Sequence, residues 1–96
     1  MTETMFQAVL DKAGVKKGDG GRLQLPEGRA LTLYLAHDGT QLQVGKVASL
    51  VVDGGMVETE DTKGEVFLLS LDDVFAASVS GEGKDGGGTR KAGFLG

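Results

Sequence analysis

No cysteine occurs in this chain of 96 residues. That absence excludes disulfide bridges, thiolate nucleophiles and cysteine-ligated metal centres together. Tryptophan is also missing, and histidine, proline and tyrosine occur once each. A lone histidine without cysteine gives zinc too few of its usual ligands. No apolar run approaches the ~20 residues that a membrane-crossing helix needs. The opening Met1-Thr2-Glu3-Thr4 puts no basic region before an apolar stretch, so no secretory signal is expected. The expectation is a cytoplasmic protein, not bound to membrane, with no cofactor and no metal. A chain of this length buries only about 60–65% of the surface it exposes when unfolded. Its core is thin, and a partner subunit would add stability.

What is present is ordinary in amount and uneven in placement. Hydrophobic residues make up 40% and charged residues 25% of the chain, a globular composition. The net charge is −4, but it is segregated. From Lys12 to Arg29 five basic residues face two acidic ones, a balance of +3. From Asp53 to Asp73 seven acidic residues face one lysine, a balance of −6. Any nucleic acid would have to use a local basic patch, since the acidic part repels phosphate.

Periodicity divides the chain into one helix and a series of strands. Met5, Phe6, Val9, Leu10 and Ala13 fall on one helical face. Thr4 with Gln7 fits a capping box, and Gly14 is a natural stop. A helix this short does not hold in isolation, so it must pack on something. From 15 to 28 runs a polar connector, in which Leu23 and Leu25 alternate with Arg22 and Gln24 as a short edge strand ended by Pro26. Leu31, Leu33 and Leu35 then alternate with Thr32, Tyr34 and Ala36, and Asp38-Gly39 gives a strong hairpin signal. A long strand from Thr40 to Val52 follows, with Gly45 marking a bend or bulge. Three more strands are expected: Met56 to Glu60, Glu65 to Leu71 and Val74 to Val79. The predicted fold is mainly β: an N-terminal helix and five consecutive strands in a strongly bent antiparallel sheet, closing into a small barrel over residues 1–80. Leu31, Leu33, Leu35, Val66 and Leu68 are its expected core. Residues 81–96, with seven glycines, read as a flexible tail.

No catalytic constellation emerges. Gly81, Gly83 and Gly86 satisfy a dinucleotide-binding spacing, but Gly87-Gly88-Thr89 cannot open the helix that such a site requires. His37 adjoins the Asp38-Gly39 turn, and no nucleophile-elbow sequence surrounds any serine. Glu58, Glu60, Asp61, Asp72 and Asp73 lack the alternating oxygens and closing glutamate of a calcium loop, and read as solvated turn charges. Tyr34 is either a sheet-packing residue or an exposed platform on which a base could stack.

A short amphipathic helix followed by five strands, the second long and bent at a glycine, resembles the Sm-like small β-barrel (a relative of the SH3-like barrels). Within that superfamily the stretch Leu31-Thr32-Leu33-Tyr34-Leu35-Ala36-His37-Asp38-Gly39-Thr40-Gln41-Leu42-Gln43 is similar to Hfq, the ring-forming RNA chaperones. The resemblance implies that Tyr34, Gly39, Leu42 and Gln43 match positions lining a purine-binding face. The Tyr-Lys-His signature of the Hfq fourth strand is absent; Val66-Phe67-Leu68-Leu69-Ser70-Leu71 stands there instead. That ending, with Asp72-Asp73-Val74, is equally similar to the Sm-like domain of a ribosome-maturation factor.

Two functions follow as expectations. In the first, a non-enzymatic homo-oligomeric ring binds purine-rich single-stranded RNA, with Tyr34 stacking, Gln43 hydrogen-bonding, and Lys16, Lys17, Arg22 and Arg29 near the backbone. In the second, the same barrel is a protein-interaction or assembly module that binds no nucleic acid.

Overall fold

The computed structural model describes residues 1–81; the glycine-rich tail lies outside the described residues from 82 onward. The chain forms helix α1 (Glu3–Ala13) and strands β1 (Lys16–Lys17), β2 (Leu23–Gln24), β3 (Arg29–His37), β4 (Thr40–Asp53), β5 (Met56–Asp61), β6 (Val66–Ser70) and β7 (Val74–Gly81). No described helix is long and apolar enough to cross a membrane.

Helix α1 starts two residues earlier than the capping box suggests. The side chain of Thr2, not Thr4, accepts the Met5 backbone N–H. Gly14 closes the other end in the left-handed conformation, with its N–H shared between the Leu10 and Asp11 carbonyls. Phe6, Leu10 and Ala13 form the buried stripe, while Met5 is 58% exposed rather than part of it.

All strand pairs are antiparallel. β4 is the spine. Its first half pairs with β3 and its second half with β5; β2 lies along the same side as β3, separated from it by Leu25 to Gly28. The sheet runs β7-β3-β4-β5-β6, with the β1–β2 hairpin added beside the second half of β4. The β3–β4 hairpin turns on Asp38 and Gly39, whose φ angles are 51° and 80°. Two positive φ values in a two-residue loop are what Asp-Gly supplies most easily.

Three bulges curl this sheet. Between the pairs Leu31–Val47 and Leu33–Val44, β4 carries Gly45 and Lys46 opposite Thr32 alone. A second lies at Ala48, between the pairs Val47–Asp61 and Ser49–Glu60. The third is Phe75 on β7, between the pairs Tyr34–Ala76 and Leu35–Val74. Each extra residue bends its strand and increases the local twist. The bend at Gly45 is therefore present, although the positive φ belongs to Lys46, at 56°. The result is an open half-barrel. β6 and β7 are joined by the turn Leu71–Asp73 but do not pair with each other.

The core fills the concave side. Leu31, Leu33 and Leu35 from β3 meet Val44, Val47 and Leu50 from β4, Val57 from β5, Leu69, Leu71 and Val74, and Phe6 and Leu10 from α1. Val66 and Leu68, expected in this core, are 51% and 66% exposed. The cross-strand partners of β6 explain the reversal: Leu69 pairs with buried Val57 and Phe67 with buried Thr59, so Val66 and Leu68 take the opposite face.

Arg29, at the start of β3, closes the helix end from outside. Its Nη1 donates to the carbonyls of Ala13 at 3.2 Å and Lys12 at 3.4 Å. The last carbonyls of a helix have no internal donor, and a cation also suits that end of the dipole. Arg29→Ala is expected to cost about 1 kcal/mol. The loss should appear in equilibrium denaturation and as faster exchange of amides in the last turn of α1.

Candidate nucleic-acid interface and sheet edges

The convex face of β3 is set by alternation. With Leu31, Leu33 and Leu35 in the core, Thr32 and Tyr34 point outward. Tyr34 pairs across with Gln43 on β4 and Ala76 on β7, so these three form one outer row. The Tyr34 hydroxyl lies 3.3 Å from the Ser78 hydroxyl. The Phe75 ring stands 6.4 Å from the Tyr34 ring, tilted by 46°. Phe75 is 57% exposed because the bulge lifts it from the ladder. The sequence hides this second aromatic, since Val74-Phe75-Ala76-Ala77 reads as a plain buried strand.

The expected site residues are only partly brought together. Tyr34 and Gln43 are direct neighbours. Leu42 pairs with Leu35 and so takes the other face, half-exposed near the end of the hairpin. Gly39 sits in the turn beyond the His37–Thr40 pair. Arg29 is at the far end of β3, with its guanidinium on the helix terminus. Arg22 is engaged too: it hydrogen-bonds the Ser49 hydroxyl at 2.9 Å and forms ion pairs with Glu58 at 3.3 Å and Glu60 at 3.6 Å. Towards the hairpin end, His37 lies 3.1 Å from Asp73 and 3.5 Å from Asp38, and Lys46 stands in the bulge opposite Thr32.

The second feature is a pair of edges, on β6 and β7, that no described strand pairs; at the start of β7 the Met1 ammonium donates to the Val74 carbonyl at 2.7 Å. On β6, bonds from Asp61 N–H to the Glu65 carbonyl and from Leu71 N–H to the Gly55 carbonyl fix the ladder phase. Phe67 and Leu69 therefore bond to β5, and the N–H and C=O groups of Val66, Leu68 and Ser70 point outward from the edge. The core-side residues next to each edge are incompletely covered. Phe67 on β6 and Ala77 on β7 are half-buried, and Val79 on β7 is 37% exposed.

A shallow open groove of about 330 Å³ lies between β2 and β5, lined by Gln24, Leu25, Ala48, Ser49, Glu60, Asp61 and Thr62. It holds no histidine and no apolar pocket that would tune a carboxylate for acid–base work. Among the described residues no group of three or more His, Cys, Asp or Glu side chains is placed to hold a metal ion. Comparison with protein-family models, with curated proteins and with solved structures finds no match for this chain.

Proposed function

We propose that this chain is a non-catalytic interaction module that assembles with copies of itself, β6 of one copy pairing with β7 of the next. One observation carries the reading: the two open edges of the half-barrel each leave core-side apolar residues part-covered, Phe67 on one and Ala77 with Val79 on the other. Unpaired edges of this kind are usually blunted by charge, proline or a covering element. Neither β6 nor β7 contains a charged residue or a proline. Joining them would continue the ladder and extend the core from copy to copy. Such a contact is heterologous and closes into a ring when its rotation divides a full turn. The Sm-like resemblance supports the same arrangement. Sedimentation of the full chain at tens of micromolar is expected to show a discrete species larger than a dimer. A monomer at that concentration overturns the reading.

The outer row favours a second reading, binding of purine-rich single-stranded RNA. Tyr34 with Phe75 gives an aromatic platform, and Gln43 beside it offers both a donor and an acceptor to a base edge. The engagement of Arg22 and Arg29 elsewhere weighs against it. If RNA binds at low salt, Tyr34→Ala is expected to weaken it by one to two orders of magnitude, since a stacked base contributes about 1–3 kcal/mol. Absence of RNA binding by the parent at low salt ends this reading and leaves the assembly proposal intact.

A further inference from the structure

The outer face of the β5–β6 ladder consists of two rows. Met56, Glu58 and Glu60 stand on β5, directly opposite Ser70, Leu68 and Val66 on β6. Met56, Val66 and Leu68 are 54%, 51% and 66% exposed. Side chains this large, clustered and uncovered on a small domain, mark a contact surface more often than chance. Beside them lie two carboxylates that share Arg22; the Glu58 and Glu60 side chains remain 42% and 44% exposed. One guanidinium between two carboxylates leaves one negative charge over, and Asp53, Asp61 and Glu65 add to it around the ends of the β5 strand against the single Lys63. Edge pairing does not cover this face, because side chains stand perpendicular to the sheet whereas edge bonds lie in its plane.

We propose that the outer face of β5 and β6 docks a segment of another protein in which an apolar strip is edged by lysine or arginine. The apolar strip would cover Val66 and Leu68, and the basic edge would meet Glu58 and Glu60 one strand away. Phosphate-bearing partners and anionic membrane surfaces carry the wrong charge for these carboxylates. The proposal does not depend on self-assembly, since these side chains point outward in a monomer and in a ring alike.

The test uses the full chain and a blocked Leu/Lys peptide of heptad pattern, with a Leu/Glu peptide of the same pattern as control. Titration calorimetry is expected to show binding of the first and none of the second. Joint Val66→Ser and Leu68→Ser should weaken it by about tenfold or more, the scale of losing buried aliphatic contacts. Joint Glu58→Gln and Glu60→Gln should weaken it and flatten its salt dependence. Arg22→Met should strengthen it by releasing the carboxylates. Joint Asp11→Asn and Asp19→Asn, an equal charge change elsewhere, should leave it unaltered. No binding of the Leu/Lys peptide, or equal loss in the Asp11/Asp19 variant, overturns the proposal. If the serine variant fails to fold, the glutamine and Arg22 variants, with their opposite expected signs, still decide it.

Discussion

Phe6→Ala is expected to lower the unfolding free energy by about 3–5 kcal/mol, the range for truncating a buried aromatic. Phe6 is 2% exposed and is the largest side chain that α1 contributes to the core. The loss has two parts. The ring's own burial disappears, and a cavity opens against the concave side of the sheet. The helix has 11 residues and no stability of its own, so its apolar hold on the sheet rests on Phe6, Leu10 and Ala13. Beside that hold stand the polar ties from Met1 to the Leu71 and Val74 carbonyls and from Arg29 to the last turn of the helix. A domain of this size has about 5–15 kcal/mol in total, so a large share goes with one side chain. Its melting temperature should fall by about 4–8 °C for each kcal/mol lost. Met5→Ala, one residue away on the solvent side, should change stability by less than about 0.5 kcal/mol. Equal effects at the two positions would show that α1 does not bury the face described.

The same helix shows what a sequence can and cannot specify. Its existence and its glycine stop were legible, because helical spacing and a left-handed terminator are local properties. The buried stripe was legible only to within one residue: Met5 and Phe6 are adjacent, and the sheet decides which faces it. The Asp38-Gly39 hairpin was legible for the same local reason, since both residues adopt positive φ easily. Strand β6 was not. Val66-Phe67-Leu68-Leu69-Ser70-Leu71 has no alternation, so nothing within it sets its phase; pairing with Val57 and Thr59 does. The candidate site divides in the same way. Tyr34 and Gln43 meet because hairpin register follows from the turn. Phe75 joins them through a bulge that leaves no mark in the sequence. Arg29 was expected near RNA, but it closes a helix sixteen residues upstream, a contact that only the tertiary fold creates.

Leu68→Pro is expected to abolish self-assembly while leaving the half-barrel folded. The Leu68 N–H points outward from β6, so proline removes a donor that no other described strand uses. The ladder to β5 is kept, because Phe67 and Leu69 make those bonds. An added strand depends on a short series of main-chain bonds. Deleting the central donor and placing a ring in the path of the incoming strand removes both attraction and fit. Leu68→Ser, which keeps the N–H and shortens only the outward side chain, should leave the oligomer intact. The contrast separates edge pairing from docking on the outer face, which the serine should impair. Sedimentation read beside circular dichroism decides the matter: a folded monomer for the proline and an unchanged oligomer for the serine are expected. An oligomer that survives Leu68→Pro would mean that copies associate through another surface, and the edges of β6 and β7 would then need a different occupant.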